Sequence, residues 1–321
     1  MSDNRWIPLC TLLAAFALLT CLPTSTSAAP IRMAVMGDSI SAGSGGNWIG
    51  QLGKSFPGAI TFQNKAVGGA TTDTVISGQL NAVKTLATNG QIDNSTLIIG
   101  GNNFLSTSAL TGILGGNPTA AINNYVNDVK QIIDTIATAG PNVRQVFANM
   151  PDVTVTPQVQ GYAAQADDPA LVLSLLSAAI LQANTQANAY ALSHNVPVID
   201  MYSASHLFGS LSSYTIAGHT FTTAFAGDGF HPAGWVQGLL ANMVDTAYNL
   251  KWNQGLPLLS DQQIVANQGF TPTGATSYTN FAPYILLPVP EPATCTLAIV
   301  GATLGVAGVW RNRRALAKRA A

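Results

Sequence analysis

A chain of 321 residues with 8% charged side chains and a net charge of −1 has no basic face with which to neutralise nucleic-acid phosphates. Its three cysteines, Cys10, Cys21 and Cys295, lie in apolar end segments, so the body can hold neither a disulfide framework nor a Cys-based zinc site. Residues 29–310 carry seven Lys/Arg against thirteen Asp/Glu, whereas the last eleven residues carry five basic residues and no acid.

Taken from the N-terminus, residues 1–28 read as a secretory signal peptide. Arg5 supplies the positive start, residues 7–22 the apolar segment and residues 24–28 a small-residue cleavage zone ending at Ala28. Lipidation at Cys21 fits poorly, because Thr20 is larger than the residue usual before a lipidated cysteine. Export and a cysteine-free body agree with each other.

From 29 to 252, short apolar runs alternate with helical patterns. Strands are predicted at 31–36, 62–67, 96–99, 143–148 and 196–201. The helix predicted at 122–139 places Ile122, Val126, Val129, Ile132, Ile133 and Ile136 on one face and stops at Gly140 and Pro141. Further helices are predicted at 170–193 and 235–250. This alternation predicts an α/β fold, with a parallel sheet covered by helices on both faces and its site at the carboxyl ends of the strands.

Residues 253–288 are rich in Pro, Gly, Thr, Asn and Gln and lack periodicity, which predicts a spacer or loosely packed extension. The apolar run 293–310 would span roughly 27 Å as a helix, enough for a thin bilayer core. Arg311, Arg313 and Arg314 would hold its end on the cytoplasmic side, as in a tail anchor. Glu291, the one glutamate of the chain, lies between Pro290 and Pro292 just ahead of this run. The layout of 289–321 resembles the PEP-CTERM sorting signal of certain Gram-negative and related bacteria. That resemblance implies recognition by an exosortase-type membrane protease, cleavage near Pro290-Glu291-Pro292 and delivery to the cell envelope or extracellular matrix, with signal peptidase acting at the other end.

Four loops carry the chemistry. Gly37-Asp38-Ser39 follows the first strand, and a glycine there lets the chain turn so that helix-start N–H groups face a developing oxyanion. Serine after aspartate is also an ordinary helix start, and Ser41 and Ser44 read as capping or loop serines. Gly68-Gly69 ends the second strand, where a bare backbone N–H can approach a substrate oxygen or simply form a turn. Gly100-Gly101-Asn102-Asn103 follows the third strand, and the Asn102 amide is a suitable further donor. Asp228-Gly229-Phe230-His231 precedes a helix, with a carboxylate placed to orient the imidazole. His194, His206 and His219 compete for the role of base: the first sits at a helix end, the others in a loop-like region bordering the pocket.

Together these blocks resemble the SGNH (GDSL) hydrolase superfamily across residues 30–250. Gly37-Asp38-Ser39, Asn64 with Gly69, Gly100 with Asn102, and Asp228 with His231 match its blocks in order. Residues 66–72, 150–157 and 200–202 resemble the branch containing plant GDSL esterase/lipases, thermolabile-hemolysin-like phospholipases and some carbohydrate acetylesterases. The resemblance implies a three-layer α/β/α, flavodoxin-like fold with a five-stranded parallel sheet. It implies Ser39 as nucleophile, His231 as base and Asp228 as its orienter, with an oxyanion hole of the Ser39 and Gly69 N–H groups and the Asn102 amide. The usual third block has Asp where this chain has Asn103, which keeps the shape and loses the charge; activity is expected to survive.

The expectation is an exported serine esterase or lipase that needs no metal or cofactor and takes an acylated polysaccharide or a lipid ester. Two other readings use the same residues: a matrix protein that has kept the fold and lost the chemistry, and an acyltransferase. Phe104, Leu105 and Phe230 either line an acyl pocket or merely pack.

Overall fold

The computed structural model describes residues 29–43, 46–210 and 213–288. The expected signal peptide at 1–28, the sorting signal at 289–321 and Ser44 lie outside the described residues.

Five strands, β1 (Ile31–Gly37), β2 (Ile60–Asn64), β3 (Asn94–Ile98), β4 (Arg144–Ala148) and β5 (Val198–Ile199), run parallel in the order β2-β1-β3-β4-β5. Met33 of β1 faces Asn94 of β3, and Ile98 faces Ala148 of β4. Chain order reverses on either side of β1, and the crevice at that reversal is where a doubly wound sheet places its site.

Alternate side chains of β1 enter separate cores, as a strand buried on both faces requires. Ala34 and Met36 pack with the helical stretch Thr72–Thr88, with α5 (Thr119–Ala139) and with α7 (Pro169–Ser193). Met33 and Val35 pack with α1 (Trp48–Ser55), α9 (Gly234–Trp252) and α10 (Asp261–Asn267). The expected three-layer α/β/α architecture is therefore present. The predicted face of α5 is buried throughout, and each such side chain contributes roughly 1.5–3 kcal/mol. Burial of α9 nearly all round makes it the central wedge of its layer.

The remaining elements sit at the loop ends. Between β3 and α5 lie α3 (Gly101–Leu105) and α4 (Thr107–Leu114), and α2 (Leu80–Thr88) closes the preceding helical stretch. Between β4 and α9 come α6 (Pro157–Ala163), α8 (Met201–Ser210) and the hairpin β6 (Tyr214–Ile216) with β7 (His219–Phe221).

Three strands differ from expectation by two residues or more at an end. The second strand runs from Ile60 to Asn64, not from 62 to 67; beyond it Lys65 N and Val67 N still donate to Val35 O and Gly37 O, while the Asn64 side chain donates to Ser41 O and accepts the Ala66 N–H. The third begins at Asn94. The fifth shrinks to two residues because α8 starts at Met201, with Asp200 accepting the Ser203 N–H.

The larger correction concerns residues 253–288, which are no spacer. Leu256, Leu259, Ile264, Val265, Phe281 and Ile285 are buried, and β8 (Ile285–Leu286) pairs antiparallel with β5 as a sixth strand. Asn242 and Asn249, two turns apart on α9, bracket the backbone of Leu259 and Leu256, with each of the four hydrogen bonds between 2.7 and 2.8 Å. A Ser260/Gln263 capping box then starts α10. Polar side chains of α9, not periodicity in the segment, hold this strap in place.

Candidate active site

Ser39 stands on the turn that leaves β1. Gly37 has φ +150°, and a Cβ there would lie 2.1 Å from Ile98 O, so only glycine fits. Gln79 clamps the same residue, accepting from Gly37 N and donating to Gly37 O, both at 2.8 Å. Beyond Ser39, Asp38 Oδ1 accepts the Ile40 N–H at 3.0 Å, and Asp38 O accepts from Ser41 and Ala42. Ser41, expected as a capping or loop serine, is buried, and its Oγ accepts from Trp48 Nε1.

The second part is the loop before α9. Asp228 Oδ1 accepts the N–H groups of Phe230 and His231 at 2.9 and 3.0 Å. Its Oδ2 lies 2.5 Å from His231 Nδ1, and His231 Nε2 lies 2.7 Å from Ser39 Oγ. The hydrogen bond from His231 is the chief reason the Asp228 carboxyl is pulled down to about 2. With the Nδ1 proton directed at Asp228, the Nε2 lone pair faces the serine hydroxyl. The loop is fixed by Ala226 N to His231 O and by Gln158 N to Gly229 O.

Asn102 borders the same cavity as Ser39 and His231. One proton of its amide is given to Ala70 O at 2.9 Å, leaving the other for a ligand. Gly69, at φ +76°, lies on an adjoining groove with Lys65, Thr74 and Gln79, not on the cavity wall itself. Among the described residues, neither the Ser39 nor the Gly69 N–H has an acceptor. Asn103 Oδ1 accepts the Thr72 N–H and its Nδ2 donates to Thr72 Oγ1, which in turn donates to Asp128.

The other histidines are engaged elsewhere. His194 Nδ1 meets Tyr190 O, His206 Nε2 lies 3.0 Å from Asp152 Oδ2, and His219 stacks on Phe270. Phe104 is fully buried against Tyr125, Leu105 packs on the core, and Phe230 lines the cavity.

Sequence reasoning missed several groups. Asp38 is buried at the cavity wall, and burial pushes its carboxyl up to about 6. Asp152, also on the wall, is fully buried and accepts from Thr154, Ser177 and His206. Gln79 and Asp128 sit in helical stretches with no local sign of their partners.

The family model for GDSL-like lipases and acylhydrolases matches residues 35–234, from β1 to the first residue of α9. The chain belongs to the GDSL-like lipase/acylhydrolase family. Ester hydrolysis is the general chemistry of this family. Among solved structures, the chain is similar to an extracellular lipase from Streptomyces rimosus at 18% identity and TM-score 0.47, covering 67% of this chain and 99% of that one. It is also similar to phospholipase A1 from Streptomyces albidoflavus, at 17% identity and TM-score 0.48, covering 68% and 99%. A family 3 carbohydrate esterase from Clostridium thermocellum shows 17% identity and TM-score 0.42, covering 69% and 96%. No curated protein matches the chain significantly.

Proposed function

We propose that this family member is a serine esterase in which Ser39 is the nucleophile, His231 the general base and Asp228 the group that orients it. The observation that carries the reading is the unbroken chain of contacts from Ser39 Oγ through His231 to Asp228. As Ser39 Oγ attacks the ester carbonyl carbon, its proton passes to His231 Nε2, and the carbonyl π electrons move to oxygen. The Ser39 and Gly69 N–H groups and the Asn102 amide receive that oxyanion. On collapse, the imidazolium returns the proton to the departing alkoxide, which leaves as alcohol. Water then attacks the acyl-Ser39 ester by the same path and releases the acid.

Asp228 remains a carboxylate at any working pH, so it stabilises the imidazolium formed in each half-reaction. Acylated polysaccharide and lipid esters are the two substrate classes compatible with an exported address. That address rests on the apolar segment at 7–22 and the Pro290-Glu291-Pro292 pattern, with signal peptidase and an exosortase as processing partners and a membrane-held state before cleavage. Mass spectrometry of the secreted product should find a new N-terminus at Ala29 and loss of residues 293–310.

The catalytic reading is tested by p-nitrophenyl ester hydrolysis with the purified chain beside Ser39→Ala, together with labelling by a fluorophosphonate. Turnover and labelling that both vanish in the variant are expected. Labelling retained in Ser39→Ala would move the nucleophile elsewhere.

A further inference from the structure

The cavity that Ser39 and His231 line is also walled by two helices. Met201, Ala204 and Phe208 of α8 and Val236, Leu240 and Met243 of α9 belong to its lining. Spacings of three and four residues align each trio along its helix, so each helix contributes an apolar stripe. All six are buried in the core on this side of the sheet.

Three polar side chains of the lining, Asp152, Thr156 and Ser205, are already occupied. Asp152 is bound by Thr154, Ser177 and His206, Ser205 Oγ donates to Tyr202 O and accepts from Asp152 N, and Thr156 Oγ1 donates to Val153 O. A sugar or glycerol hydroxyl entering here would lose its water and find no partner. An alkyl chain would lose nothing.

Size gives the second constraint. The cavity offers about 80 Å³ to the centre of a water-sized sphere. A single water needs about 10–15 Å³ of such volume, so the cavity has room for more than an acetyl methyl. An apolar lining suits the tail of an acid, which terminates in a methyl. The alcohol side of a polysaccharide or glyceride ester continues into a large polar body and belongs outside.

We propose that this cavity is the acyl-chain pocket of the enzyme. It selects acyl chains longer than acetyl, with octanoate as the reference length, and substitutions at Ala204 and Met243 of its lining change the room available. The inference rests on the ester-hydrolase reading given above. It places the substrate among lipid-like esters and not among acetylated polysaccharides.

The test is kcat/KM of the purified full chain on p-nitrophenyl acetate, butyrate, octanoate and palmitate, and on ethyl octanoate beside octyl acetate. Each buried methylene is worth roughly fourfold, so octanoate should exceed acetate by on the order of 10²-fold or more, with a fall at palmitate. Ala204→Leu fills the cavity and should move the optimum to butyrate or shorter. Met243→Ala enlarges it and should move the optimum beyond octanoate. Near-UV circular dichroism and cooperative thermal unfolding report whether each variant keeps its fold. Acetate as the best substrate, octyl acetate preferred over ethyl octanoate, or an unchanged profile in two folded variants would each overturn the pocket assignment. No turnover on any ester would instead overturn the hydrolase reading, a result distinct from the other three.

Discussion

Asn103 Nδ2 donates to Thr72 Oγ1 at 2.8 Å, and the hydroxyl so oriented gives its own proton to Asp128 Oδ2 at 2.5 Å. The loop after β3 is thereby tied to the loop after β2, and Asn102 adds a second tie through Ala70 O. Asn103 stands where the sequence resemblance implied a carboxylate, and Asp128 on α5 takes the acceptor end of the network. An amide at 103 and a carboxylate at 128 leave each hydrogen-bonding group with a partner.

Asn103→Asp should therefore destabilise the fold by about 1 kcal/mol at pH 7, because two carboxylates would compete for one hydroxyl proton. The penalty requires both groups ionised, so it should shrink as pH falls and one of them protonates. Burial already raises the Asp128 carboxyl, which makes it the readier of the two. Urea unfolding of Asn103→Asp, Asp128→Asn and the double variant forms a cycle. Recovery of stability in the double variant is the expected outcome.

Asn102→Ala should lower kcat on p-nitrophenyl butyrate by roughly 10²–10³-fold, with KM little changed, if its amide acts chiefly on the oxyanion. A rise in KM alone would assign the residue to loop support through Ala70 O.

Asp38 titrates near 6 in the folded chain because it is buried, against an ordinary value near 4. The folded state thus holds a proton that the unfolded state releases between those values, and stability falls as pH rises through that window. Asp38→Asn keeps an acceptor for the Ile40 N–H and lacks this titration. Its stability relative to the parent should rise between pH 4 and pH 7 by on the order of 2 kcal/mol. Thermal midpoints across that range measure it, and a flat difference would show that the carboxyl keeps an ordinary value.

Asp245 is fully buried on α9 and, among the described residues, neither carboxyl oxygen has a hydrogen-bond partner. Burial alone drives its carboxyl well above the usual range. Replacing an unpartnered polar group with an apolar one of similar size removes a cost of about 1–3 kcal/mol. Asp245→Leu should accordingly raise the urea midpoint without altering m. A lowered midpoint would mean that the carboxyl has a partner in solution.

Much of the architecture could be read from residues because it depends on local pattern. The stripe from Ile122 to Ile136 forms the buried face of α5, and strand–helix alternation yields the parallel sheet. Ser39 and Asn102 meet because loops that follow parallel strands emerge at one edge, and the Asp228–His231 loop before α9 reaches Ser39 there. Where pattern was absent, the reading failed: the irregularly spaced Leu256, Leu259 and Phe281 gave no sign that Asn242 and Asn249 would bind their segment to α9.

The sequence by itself determined which residue types could carry acyl chemistry and the order in which the chain presents them. It also confined that chemistry to strand ends, since glycine-led turns and helix starts are encoded within a few residues. The resemblance pointed to His231 among four histidines, but only the tertiary structure brings it to Ser39 across 192 positions. The tertiary structure alone also brought α8 and α9 to one cavity, because packing between distant elements depends on shape that no local pattern records.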